Sequence, residues 1–219
     1  GVNMPPVRKI TKEDIIKKSL SIVNEEGLTS LNARRLAKEL MCSTQPIFSQ
    51  FKNMEELNSA VVDEIYHIFD KYMLKENYNH LVYKDIGLNY IHFAKEYPNY
   101  FKILFQSDKK LKARSFVELT GPSKRIFETI QKQTGLSNEE VIKFHIKMWF
   151  YVNGIANLVS NNTCEFTDID LDNFLKEQYL SMLLYEYQKD NIKKEVIDNV
   201  INNKLTLTKG GVNNEEIKD

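Results

Sequence analysis

The stretch that most restricts how this chain folds is Gly27 to Leu57, GLTSLNARRLAKELMCSTQPIFSQFKNMEEL. It carries two short helical patterns with a tight turn between them and cationic residues around both. Neither pattern is long enough to persist in water alone, because nucleating a helix costs more than a few added hydrogen bonds return. Each must be held by packing against other helices, which is the outline of a helix-turn-helix. The first of the pair is expected from about Asn32 to Leu40, with Leu36, Ala37 and Leu40 facing inward. The second is expected from near Ser43, whose hydroxyl is placed to cap it, to near Phe51. Pro46 falls in its first turn, where a missing N–H costs little.

The rest of the chain is also helical in pattern. Thr11 is a candidate N-cap with Asp14 three residues on, Ile15, Ile16, Leu20 and Val23 recur at helical spacing, and Gly27 is a natural terminator. A fourth helix from about Met54 to Leu74 carries Leu57, Val61, Ile65, Ile68, Phe69 and Tyr72 on one broad face. Tyr83 to Glu96 is a fifth, halted before Pro98. Further helices are expected at Asn99 to Gln106, Phe116 to Thr134, about Ser137 to Asn161 (opened by a Ser137/Glu140 capping box) and Asp170 to Gln188. No strand-like alternation of useful length occurs. The expected fold class is all-α, about nine helices. Residues 1–53 form a three-helix head, a long fourth helix leads into a domain over 54–190, and 191–219 is a flexible tail with a helical piece at Lys194 to Ile201.

Composition narrows the class. The 219 residues are 42% hydrophobic and 27% charged, with 30 Lys and Arg against 30 Asp and Glu. No apolar run suits a membrane span and no signal peptide is evident. Cys42 and Cys164 are in no metal-ligand spacing, which points to a reducing compartment, the cytoplasm. The neutral total hides an asymmetry: residues 1–52 hold nine Lys and Arg and five acids, an excess of four, balanced by an acidic remainder. A basic end on an acidic body suits a chain whose one part meets phosphates.

In a helix-turn-helix the second helix is offered to a DNA major groove. Ser43 lies at the start of that helix, and Thr44, Gln45, Pro46 and Ser49 occupy its start and exposed face, where side chains reach base edges; Gln45 suits adenine and Pro46 a thymine methyl. Ala33 and Arg34 begin the preceding helix, whose N-terminus can itself meet a phosphate. One head with this modest charge cannot bind tightly at physiological salt, so two heads on a palindrome are needed.

Leu36-Ala37, Met41-Cys42-Ser43, Thr44-Gln45-Pro46, Ile47-Phe48, Phe51, Lys52-Asn53 and Met54-Glu55-Glu56-Leu57 follow, in order, the pattern of the DNA-binding domain of TetR-family transcriptional repressors, which this stretch resembles. Three positions depart from that pattern. Met41 stands where the family usually has a turn glycine, Phe48 where a tyrosine meets phosphate, and Met54 where a lysine does. The resemblance places Arg34, Phe48, Gln50 and Lys52 against the DNA backbone. A second likeness, to one subgroup of the family, covers Phe93 to Phe105 and Trp149…Asn153-Gly154, with Asn153 in place of a histidine.

The resemblance also implies a homodimer through the eighth and ninth helices, with Phe174, Tyr179, Met182, Leu183, Tyr187, Trp149 and Val152 as interface candidates. It implies a cavity for an unknown small-molecule effector. Aromatic residues of the central helices (Phe69, Tyr90, Phe93, Phe101, Phe105, Phe116, Phe127, Trp149) are candidates to line it, with His92, His145 and Asn153 as polar groups; an aromatic stripe at helical spacing is more often plain core. The expected function is a ligand-responsive repressor that leaves a palindromic operator when the effector binds. The alternative is a small-molecule-binding or enzymatic helical protein with a vestigial head. His67, His80, His92 and His145 form no metal spacing, and no phosphate loop or nucleophile elbow occurs. No catalytic residue, metal site or cofactor is expected.

Overall fold

The computed structural model describes residues 10–75, 83–106 and 123–207. Among them lie ten α-helices and one short 3-10 turn, and no strand. Contacts divide the chain into two units. The first holds α1 (Lys12–Glu26), the 3-10 turn Leu28–Ser30, α2 (Ala33–Glu39), α3 (Gln45–Gln50), α4 (Met54–Met73), the latter part of α5 (Tyr83–Glu96) and α6 (Pro98–Phe105), with the end of α8 (Asn138–Ser160). The second holds the start of α5, α7 (Ser123–Thr134), most of α8, α9 (Asp168–Gln188) and α10 (Lys194–Leu207). Of the seventh helix expected from Phe116, only the part from Ser123 lies within the described residues.

In the first unit, α1 opens on the expected capping box. The Thr11 hydroxyl accepts from the Asp14 N–H at 3.1 Å and the Asp14 carboxylate from the Thr11 N–H at 3.1 Å. Gly27, at φ +83°, ends the helix in a region closed to most side chains. Ile15, Val23, Leu36, Ile47, Leu57, Val61 and Ile65 are wholly buried. Each such side chain contributes about 1.5–3 kcal/mol when removed from water, which is what sustains helices as short as α2 and α3. Ile68 and Tyr72, expected on the inward face of α4, are only half-buried, and Met73 is buried instead.

α6 fastens onto α1. The Asn99 side-chain amide donates to the Asn24 carbonyl at 2.8 Å, and the Tyr100 hydroxyl to the Leu20 carbonyl at 2.8 Å. Asn24 sits in the last turn of α1, where carbonyls have no partner within the helix. Behind this junction Phe69, Tyr90, Phe93, Phe101 and Phe105 pack edge-on or tilted, with ring centroids 5.1–5.9 Å apart.

In the second unit, α8 begins with the Ser137/Glu140 box, the Glu140 carboxylate accepting from the Ser137 N–H at 2.9 Å. α9 starts two residues before Asp170, because Thr167 and Asp170 form a further capping box. Gly87 lets α5 approach α9 closely: a Cβ there would stand 3.1 Å from Leu175 Cδ1. Lys84 and Asp172 pair across the same two helices. Ile192 and Ile197 are buried, and α10 runs to Leu207, well past the short helical piece expected at Lys194 to Ile201.

Candidate nucleic-acid interface

α2 ends in a Schellman motif. The Cys42 N–H donates to the Ala37 carbonyl at 2.9 Å and the Met41 N–H to the Lys38 carbonyl at 3.1 Å. Met41 holds the left-handed position of that motif at φ +53°, where glycine is usual, and its side chain is 93% exposed. The turn geometry that the family's glycine serves is thus kept without the glycine, at a cost in backbone strain.

α3 follows after Thr44, its N-cap. The Ser43 hydroxyl does not cap the helix as expected; no side chain makes a cap bond there, and Thr44 itself is in helical conformation. Pro46 in the first turn removes one of the N–H groups a cap would have served. Ile47 and Phe51 point into the core, and Gln45, Phe48, Ser49 and Lys52 are exposed on the opposite side. Ser43 is also exposed, and Thr44, Pro46 and Gln50 are half-buried. The Ser49 hydroxyl donates to the Pro46 carbonyl at 2.7 Å, so its proton is spent inside the helix.

The start of α2 separates two adjacent arginines. Asn32 caps the helix by accepting from the Arg35 N–H at 3.0 Å. The Arg35 guanidinium is held by Glu26 at 2.9 Å and Glu39 at 3.3 Å. Arg34 is exposed and has no ion pair among the described residues, and Ala33 beside it is half-buried. Beyond α3, the Lys52 backbone N–H donates to the Glu56 carboxylate at 2.6 Å, and its side chain is exposed. The structure therefore presents Arg34, Gln45, Phe48, Ser49 and Lys52 to solvent on a basic head.

The effector candidates fall into both units. Phe69, Tyr90, Phe93 and Phe105 belong to the aromatic packing of the first unit, in which Asn153 accepts from the Tyr90 hydroxyl at 3.0 Å. Phe127, His145 and Trp149 belong to the second. His145 shares a 2.9 Å hydrogen bond with Tyr83, and burial lowers its pKa to about 4. Phe116 lies outside the described residues. Phe101, also a candidate, packs on Tyr90, and Tyr83, which is not one, packs on His145 and on the interface candidate Tyr179. A cleft of about 480 Å³ in the second unit is lined by Glu140, Lys143, Lys147, Glu186, Lys189 and Asn191, none of them an effector candidate. Among the described residues no group of three or more His, Cys, Asp or Glu could hold a metal ion, and no helix is long and apolar enough to cross a membrane.

Of the interface candidates, Tyr179, Met182, Leu183, Trp149 and Val152 are buried within the chain, while Phe174 and Tyr187 are exposed. The apolar face left open on α8 is a different one. Ile142, Phe150 and Leu158 are exposed, with half-buried Ile146 and exposed Gly154 between them, all at steps of four residues. Leu184 and Tyr185 are exposed on α9.

Among solved structures, the chain is similar to a TetR variant from Acinetobacter baumannii AYE in complex with minocycline, at 19% identity and a TM-score of 0.51 over 82% of this chain and 98% of that one. The chain has the TetR fold. Other TetR-like matches are more distant. BioQ with its double-stranded DNA operator aligns at 18% identity and a TM-score of 0.40, over 87% of this chain and 98% of that one. The Streptomyces coelicolor TetR family protein ActR in complex with (S)-DNPA aligns at 16% identity and 0.37, over 90% and 100%. No family model and no curated protein matches the sequence.

Proposed function

We propose that this chain is a TetR-family transcriptional regulator, a cytoplasmic homodimer whose two heads hold a palindromic operator in double-stranded DNA. A small molecule bound in the C-terminal domain releases the operator, so the protein acts as a repressor. The observation that carries the reading is the division of α2 and α3 into a structural and an offered face. Arg35, Ile47 and Phe51 hold the head together, while Arg34, Gln45, Phe48, Ser49 and Lys52 are free to meet a duplex. The TetR variant that shares the fold binds minocycline, which supports an effector. The open apolar stripe on α8, with Leu184 and Tyr185 on α9, supports pairing of these helices with a second copy.

The test is binding to a duplex from upstream of the protein's own gene. Arg34→Ala is expected to weaken every duplex alike and to lower the salt dependence by about one counterion. Gln45→Ala is expected to cost about 1–3 kcal/mol on the operator and little on unrelated DNA. If both variants bind as the wild type does, the assigned surface is wrong.

A further inference from the structure

The groups that the reading helix exposes share one chemical bias. We propose that the head reads A·T pairs, with Gln45 paired to adenine and an apolar surface of Phe48 and Met41 packed on thymine methyl groups. The inference rests on the DNA-binding reading above and adds what the operator half-site must contain.

The first support is what α3 lacks. Its six residues, Gln45 to Gln50, include no Lys or Arg. Those two side chains, hydrogen-bonded to O6 and N7 of guanine, make the commonest specific contact of a major groove. Arg34 and Lys52 lie outside the helix, at the start of α2 and beyond the end of α3, where phosphate contacts set register without reading sequence.

The second is the hydrogen-bonding capacity that remains. With the Ser49 proton committed to the Pro46 carbonyl, Ser49 offers a base only lone pairs. Gln45 is exposed at the first position of the helix and carries an amide with a donor and an acceptor side by side, the pairing that fits N6 and N7 of adenine.

The third is apolar surface in an unusual place. Phe48 is 45% exposed in the middle of α3, and Met41, in the turn that leads to it, is 93% exposed. Among the described residues of the head they are the exposed large apolar side chains, and both lie on or beside the offered helix. The apolar group that a major groove presents is the C5-methyl of thymine. Phe48 has no hydroxyl to spend on a phosphate, and Met41 keeps a strained backbone position that glycine would relieve.

The experiment selects duplexes from a random library with the full chain, then replaces each thymine of the selected half-site by uracil, which differs only by the missing methyl. The selected half-sites are expected to be rich in A·T pairs. Removing a contacted methyl is expected to weaken wild-type binding about fourfold. In Phe48→Ser, uracil and thymine are expected to bind alike at the central position. In Met41→Gly, which suits the turn and keeps the fold, sensitivity is expected to vanish at the thymine nearest the turn. Half-sites rich in G·C, or tight binding unchanged by uracil at every position, overturn the proposal. Failure to select any duplex overturns the DNA-binding reading and this inference with it.

Discussion

The Asn99 amide donates to the Asn24 carbonyl across 2.8 Å, so a side chain of α6 satisfies a backbone group that the last turn of α1 cannot. With the Tyr100 hydroxyl on Leu20, it makes two side-chain ties from α6 to the helix that supports the reading surface. Asn99→Ala leaves the Asn24 carbonyl without this donor and is expected to cost about 1–2 kcal/mol in urea unfolding. Amide exchange in the second half of α1 should quicken more than in α4. Equal quickening of both helices would place the loss elsewhere.

Met41 carries backbone strain that can be relieved. Met41→Gly is expected to offset the left-handed cost and raise stability by about 0.5–1 kcal/mol, even though glycine gains entropy in the unfolded chain. Met41→Val adds a β-branch at positive φ and should lower it. The reverse order of the two melting temperatures contradicts the assigned turn.

The buried His145 sets an acid limit. Its pKa, lowered to about 4 by burial, lies below the ordinary value of 6.5 for the unfolded chain. The unfolded chain therefore binds a proton that the folded one refuses in that window, and stability falls as pH drops from about 6.5 to about 4. The slope from this residue is at most about 1.4 kcal/mol per pH unit. His145→Asn keeps a hydrogen-bonding group for Tyr83 and removes the titration. The wild type should lose stability relative to the variant as pH falls through that window, with no further relative loss below it; a constant difference excludes His145.

Tyr179 shows the opposite of a satisfied group. Its hydroxyl is buried with no hydrogen-bond partner among the described residues, and burial pushes its pKa well up. Tyr179→Phe removes a hydroxyl whose desolvation is uncompensated and is expected to be neutral to stabilising by about 1 kcal/mol. Tyr83→Phe, which takes away a partner of His145, is expected to destabilise by a similar amount. A Tyr179→Phe protein less stable than the wild type shows that the hydroxyl has a partner after all.

Phe150 is 62% exposed on α8, so changing it should not disturb the chain's own core. Phe150→Asp is expected to give a folded monomer by sedimentation, with normal circular dichroism, and to bind operator far more weakly because two linked heads become one. A dimer that survives this change at micromolar concentration places the interface on another face.

What the sequence made legible follows the range of the interactions. Capping boxes at Thr11 and Ser137 and the break before Pro98 are local, and each is where the residue pattern puts it. The Thr167/Asp170 box is just as local, and it sets the start of α9 two residues ahead of Asp170. Ser43 failed as a cap because the adjoining Thr44 already has helical dihedrals, a choice that composition does not reveal. The open stripe on α8 was harder. Ile142, Phe150 and Leu158 are no more apolar than Trp149 and Val152, and only packing decides which of them turns inward. Arg34 and Arg35 make the same point: neighbours of one type, sorted by the positions of Glu26 and Glu39.

Glu56 accepts from the Lys52 N–H, and its own N–H donates to Asn53 at 2.9 Å. The peptide that leaves the reading helix is thereby tied to the first turn of α4 at two points. The end of the reading helix and the start of α4 are thus one hydrogen-bonded unit, and Glu56 ties its side chain to one and its backbone to the other. Glu56→Ala removes the first bond and keeps the second, which frees the Lys52 peptide while leaving the exposed groups of the reading helix and the cap of α4 in place.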